Sequence, residues 1–228
     1  MRSPTHAPQP LRIPLGRIFL HADLQVPDHA IGLVIFAHGS GSNRHSTRNR
    51  FVANELSRHG FATLLLDLLT SDEALEDEIT SQYRFDVPRL AQRVVGAIDW
   101  ISMRPELQHL PVGLYGASTG AAAALIAAAE RPLVVRTVVS RGGRPDLAGD
   151  ALDDVAAPTL LLVGSRDPAV VTLNNAAAAR MNPHVEVELV HGASHLFEEP
   201  GAIELVARSA AAWLEKYLPA HRSTRASA

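Results

Sequence analysis

The stretch that most constrains this chain runs from Pro111 to Glu130, PVGLYGASTGAAAALIAAAE. A short apolar run, Val112 to Tyr115, ends in Gly116-Ala117-Ser118-Thr119-Gly120 and passes directly into strong helix formers bounded by Pro132. The pattern predicts a buried strand, a sharp turn and a helix, with a serine at the apex. Gly116 and Gly120 stand where a Cβ would collide with the neighbouring strand and helix, and the alanines let the helix lie close to a sheet. The positive end of that helix then points at the place where an oxyanion would form. A membrane span is excluded despite the absence of charge from Leu110 to Ala129, because Pro111, three glycines, Ser118 and Thr119 interrupt it.

Composition narrows the function classes. With 228 residues, 46% of them apolar and 20% charged, the chain fits one globular domain, expected over residues 10–218 between loose tails at 1–9 and 219–228. A net charge of -3 argues against a general nucleic-acid binder. The absence of cysteine excludes disulfides, thiolate catalysis and cysteine-based zinc sites. Lys216, the single lysine, lies in the last predicted helix, so no P-loop or Schiff-base lysine stands near a glycine-rich turn. The amino terminus, MRSPTHAPQP, has no apolar signal core and no twin arginine, which gives a cytoplasmic expectation.

Along the chain, Leu11 to Leu20 and His21 to Val26 suggest two antiparallel edge strands, and Ile31 to Ala37 a central one buried on both faces. Further strands are expected at Phe61 to Asp67, Val112 to Tyr115, Val135 to Ser140, Thr159 to Val163 and Val185 to Val190. Helices are expected between them: Ser46 to His59, a second from near Asp86, the alanine-rich one, Val170 to Met181, and a last one carrying Ile203, Val206, Ala210, Trp213 and Tyr217 on one face. This alternation predicts an α/β fold, a mostly parallel sheet covered by helices on both faces. The acidic segment 72–78 is expected to be a loop.

Ligands of such sheets bind beyond the carboxyl ends of the strands. Polar residues collect there: His38-Gly39-Ser40-Gly41-Ser42, Ser118, Arg141-Gly142-Gly143-Arg144, Asp167 and His195. A serine hydroxyl needs a base to take its proton and a third group to hold that base in the right tautomer. Ser118, Asp167 and His195 supply these in the chain order nucleophile, acid, histidine. The alternative reading of Asp167 is a turn or N-cap aspartate ahead of Val170, with Asp146, Asp150, Asp153 and Asp154 as other acids; His191 rivals His195. The His191 and His195 spacing resembles a metal pair, but Gly192 and the strand-to-loop setting spoil the helical face such a pair needs, so no metal is expected. For the oxyanion, the Thr119 amide is the first donor and Ser40 the second, with Gly41 next.

The segments VIFAHGSGSNRHSTRNRFVA, LYGASTGAAAAL, LLVGSRDP and HGASHLFEEPG resemble an α/β-hydrolase of the dienelactone hydrolase-like group, over nearly the whole chain outside the tails. HGSGSNRHSTRNR and VVSRGGRPDLAG are similar to hydrolase-like domains that sometimes occur fused to a phosphoribosyltransferase, although no phosphoribosyl-pyrophosphate segment is visible. The resemblance implies an α/β-hydrolase fold with no cofactor. Dienelactone hydrolases proper use a cysteine nucleophile, whereas Ser118 stands here, which favours a broader esterase-like activity.

Arg44, Arg48, Arg50, Arg141 and Arg144 are all expected near the active face, where they could hold a carboxylate or phosphate of the substrate. Arg44, Arg48, Arg141 and Gly41 are the candidate substrate contacts, and the acidic segment 72–78 competes for the arginines. Tyr83 to Phe85 suit a minimal lid. The expected function is hydrolysis of a small-molecule carboxylic ester, lactone or thioester through an acyl-enzyme, by a monomer or small homo-oligomer. A catalytically idle fold that binds a ligand or partner, and an acyltransferase or peptidase with the same three residues, are the alternatives.

Overall fold

In the strand Gly32–Ala37 every residue is buried, and the side chains alternate between two cores: Leu33, Ile35 and Ala37 enter one, Val34 and Phe36 the other. A strand buried on both faces requires a layer on each side. Both layers are present in the computed structural model, which describes residues 7–181 and 184–219.

The strands are β1 (Gln9–Leu15), β2 (Ile18–Gln25), β3 (Gly32–Ala37), β4 (Phe61–Leu66), β5 (Val112–Ala117), β6 (Val135–Arg141), β7 (Thr159–Gly164) and β8 (Val185–Val190). They lie in the order β1-β2-β4-β3-β5-β6-β7-β8. β1 and β2 form an antiparallel edge against β4, and β3 to β8 run parallel. Helices α1 (Thr47–Arg58) and α6 (Ala202–Tyr217) cover one face through Val52, Leu56, Val206 and Leu214. The other face carries α3 (Val87–Ser102), α4 (Thr119–Glu130) and α5 (Pro168–Ala178), with a 3₁₀ segment at Pro145–Asp154.

Local chemistry sets the helix ends. Ser46 accepts the Asn49 N–H to start α1, and the chain leaves that helix through Gly60 at φ +88°. Asp86 accepts the Arg89 N–H to start α3. These boundaries agree with the sequence reading.

Three expectations are corrected. Gln9 belongs to β1, paired with Leu24, and not to a tail; residues 1–6 and 220–228 lie outside the described residues. The first hairpin turns at Gly16-Arg17 and not near Leu20, because Gly16 takes φ +63° there at no steric cost. The acidic segment is no loop but part of a helix, α2 (Ser71–Thr80). Thr70 and Glu73 close its first turn as a reciprocal capping box. Ala74, Asp77 and Glu78 share the face turned toward the sheet's carboxyl end, while Leu75 and Ile79 point outward and are largely exposed. α2 and the following segment through Phe85 form the small cover expected of a minimal lid. Among the described residues no helix is long and apolar enough to cross a membrane.

Candidate active site

Ser118 sits between β5 and α4 at φ 51°, ψ -123°, a backbone region that L-residues rarely enter. The strain is held by packing on both sides. A Cβ on Gly116 would lie 2.4 Å from Ala121 Cα, and one on Gly120 would lie 2.3 Å from the His38 carbonyl oxygen. Both turn glycines are therefore sterically required. The Ser118 N–H donates to the Arg141 carbonyl, and its own carbonyl accepts from Ala121 and Arg144. The apex is thus pinned to α4 and to the end of β6.

His195 and Asp167 come from the loops after β8 and β7. Asp167 does two things: Oδ1 accepts the Val170 N–H at 3.3 Å as the cap of α5, and Oδ2 lies 2.8 Å from His195 Nδ1. The cap bond and the contact with His195 are thus made by different oxygens of one carboxylate. A Cβ on Gly142 would lie 3.8 Å from His195 Cε1, and Gly142 follows directly on the residue whose carbonyl holds Ser118. The imidazole and the Ser118 backbone thus both adjoin the end of β6. Among the described residues no hydrogen bond joins the Ser118 hydroxyl to the ring; such contacts are often long in ligand-free sites. The rival His191 is exposed.

Thr119 is the first residue of α4, so its amide has no partner within the helix. Across from it, the loop after β3 touches the apex: a Cβ on Gly39 would sit 3.0 Å from Ser118 Cβ. Ser40 and Gly41 follow and line a cavity of about 310 Å³ that reaches from this loop to α2. His38 holds the loop in place. Its Nε2 accepts the Leu68 N–H at 3.0 Å, which leaves Nδ1 to donate to the Gly39 carbonyl at 2.9 Å. Burial keeps this imidazole below its ordinary pKa and so neutral, against the opposing pull of the Gly39 carbonyl and the Asp67 charge.

The arginines are placed differently from the sequence expectation. Arg44 lines the cavity, but its guanidinium is paired with Asp67 and, at 3.4 Å, with Asp23. Arg50 also reaches Asp23, Arg48 pairs with Glu198 at 3.0 Å, and Arg144 with Asp146. Arg141 is a correction. It is 8% exposed, donates to Asn49 of α1 at 3.3 Å and lies near the Phe197 ring, on the α1 and α6 side of the sheet and away from the cavity. Its position in β6 sends it there, since Thr137 and Val139, at alternate positions, face the same side. Tyr115, beneath it, is pushed up to about 12 by burial, with the Arg141 charge opposing. None of the five arginines pairs with segment 72–78. That segment engages Arg84, Arg89 and Arg93 instead.

Sequence reasoning missed Arg84 and Asp77. Asp77 is 3% exposed and accepts from the Tyr83 and Arg84 amides and from Arg84 Nε at 2.7 Å. Burial alone would raise its pKa, but these donors from Arg84 and Tyr83 outweigh it and hold the carboxyl below its ordinary value. Only the fold brings this pair against the loop after β3, and no local motif announced it.

Comparison with known proteins places this geometry in context. A family model described as "Dienelactone hydrolase family" matches residues 20–219. A crystal structure of dienelactone hydrolase from Anabaena variabilis is 51% identical, with a TM-score of 0.91 over 93% of this chain and 100% of that one. Two Mycobacterium tuberculosis proteins named "Putative phosphoribosyl transferase" are 50% identical over 208 residues, which is 91% of this chain and 46% of theirs. The chain thus spans about half the length of those relatives. Est1E from Butyrivibrio proteoclasticus, 16% identical with a TM-score of 0.76 over 91% of this chain and 98% of that one, shares the fold. The eight-stranded sheet with its strand–serine–helix turn is the α/β-hydrolase fold, as the resemblance implied.

Proposed function

The chain belongs to the dienelactone hydrolase family, and on that premise we propose that it is a serine hydrolase acting on a small carboxylic ester, lactone or thioester through an acyl-enzyme. Ser118 Oγ attacks the carbonyl carbon while His195 takes its proton, and Asp167 holds the imidazole in the tautomer that leaves Nε2 free to accept. The tetrahedral oxyanion is received by the Thr119 amide at the start of α4 and by an amide of the loop after β3, with Ser40 as the donor of choice and Gly41 next to it. His195 then returns the proton to the leaving oxygen. Water attacks the acyl-enzyme by the same route and frees Ser118.

The observation that carries this reading is the His195 Nδ1 to Asp167 Oδ2 contact of 2.8 Å, at the same carboxyl end of the sheet as a serine held at φ 51°. Neither feature serves packing alone. Ser118→Ala is expected to abolish labelling by a fluorophosphonate probe and hydrolysis of p-nitrophenyl acetate. Undiminished labelling and turnover in that variant would reject the assignment.

A further inference from the structure

The cavity between the loop after β3 and α2 is not lined by Ser118, Asp167 or His195 but adjoins Ser118 through Gly39, a position from which it can hold the part of an ester beyond the reacting carbonyl. We propose that it receives the uncharged, hydroxyl-bearing side of an ester and turns away carboxylates, with Arg84 as the hydrogen-bonding specificity residue and Glu78 as the discriminating charge. The inference rests on the hydrolase reading above and refines it.

Charge is the first argument. Each arginine in the wall is already matched: Arg44 by Asp67 and Asp23, Arg84 by Asp77. Glu78 also lines the cavity, is exposed, and among the described residues has no ion-pair or hydrogen-bond partner. Two guanidiniums therefore face three carboxylates in the wall, with Asp23 behind them. A carboxylate entering this space would lose hydration and meet net negative charge, the reverse of what an anion site needs.

Hydrogen-bonding capacity is the second. Asp77 fixes Arg84 through Nε at 2.7 Å and its backbone carbonyl accepts from Nη2 at 2.6 Å, so two of the five guanidinium N–H groups are used. Nη1 is left over, and a Cβ on Gly41 would sit 3.7 Å from it. A pre-oriented donor edge thus faces the loop that touches Ser118. On the same cavity, Glu78 can only accept, while Ser40 and Ser71 can do either. A hydroxyl, with one hydrogen to donate and two lone pairs to accept, can take a hydrogen bond from Arg84 and give one to Glu78 or a serine. A methyl group satisfies none, and a carboxylate satisfies Arg84 while repelling Glu78.

The test uses two matched series: p-nitrophenyl esters whose acyl chains end in hydroxyl, methyl or carboxylate, and acetates of ethylene glycol, ethanol and glycolic acid. In at least one series kcat/KM is expected to favour the hydroxyl over the carboxylate by about tenfold or more. Glu78→Gln, at an exposed position, is expected to narrow that ratio about threefold, and Arg84→Met to remove most of the preference for hydroxyl over methyl. Should Arg84→Met fail to fold, Arg84→Lys carries the same expectation in weaker form. Equal or better turnover of the carboxylated ester by the unaltered protein, or an unchanged ratio in Glu78→Gln, would overturn the proposal. Calorimetric titration of Ser118→Ala with the same esters reads the preference without turnover. A hydroxyl preference in binding, together with no hydrolysis of any of these esters by the unaltered protein, would sink the hydrolase reading and keep this one; equal binding of all three ends would sink this one.

Discussion

The turn at Ser118 and the wall formed by α2 lie on either side of the same loop, yet they are built by opposite means. At the turn, backbone meets backbone: Gly116 against Ala121 and Gly120 against the His38 carbonyl leave no room for even one methyl group. The adjoining helix is buried almost throughout. At α2 the inward face carries a buried aspartate and an unpaired glutamate, and the apolar residues Leu75 and Ile79 face outward. One region is defined by shape and admits no variation, whereas the other is defined by charge pairing and can be rewritten. The two kinds of region are kept apart in this fold.

Five substitutions would break or sharpen that contrast. Ser118→Ala is expected to lower kcat for p-nitrophenyl acetate by about 10³-fold or more. Its melting temperature should stay within about 2 °C of the unaltered protein, because alanine places the same Cβ at the same φ; a large fall in stability would mean that the hydroxyl has a structural task. Gly120→Ala, by contrast, should cost roughly 3 kcal/mol or more in urea unfolding, since the obstructing atoms are main-chain and cannot rotate away. A milder loss would show the turn to be softer than its contacts imply.

On the other side, Asp77→Asn is expected to cost about 1–3 kcal/mol at neutral pH by weakening the hold on Arg84 and its amide. The sign with pH follows from the lowered pKa. The unfolded chain takes up a proton on Asp77 near its ordinary value while the folded protein resists it, so the contribution is full above about pH 4 and lost as pH falls through the folded value. The stability gap between the two proteins should therefore close in acid, and a gap independent of pH would contradict this account. Smallest of all, Leu75→Ser and Ile79→Ser should each shift stability by less than about 0.5 kcal/mol, as both side chains are exposed. A drop of several kcal/mol would reveal that this outward face is covered in solution.

The same contrast explains how much could be read from the sequence. The Ser118 turn, the caps of α1 and α3 and the doubly buried strands were legible because each is encoded within a few residues: Ser46 and Gly60 around α1, Asp86 before α3, largely apolar runs for β3, β4 and β7. α2 was not, although Thr70 and Glu73 spell a capping box, because Leu75 and Ile79 face solvent and leave no stripe directed at a core. The partners of the arginines were equally hidden. Asp23 and Asp67 answer Arg44 from β2 and from the end of β4, and only the sheet order β2-β4-β3 brings the two carboxylates to the loop that carries Arg44. Arg141 was assigned to the mouth because it ends a strand, but strand alternation, and not strand position, decides which layer a side chain enters.

His38 spans the boundary between the two regions. Because one ring nitrogen is committed to the chain after β4 and the other to the chain after β3, the two segments share a single rigid clasp. Replacing the wall formed by the chain after β4 and α2 would therefore tug on the loop that packs against Ser118. On the proposed function, one uncharged ring would couple specificity to rate, and re-engineering the first without loss of the second would require that the clasp be carried over intact.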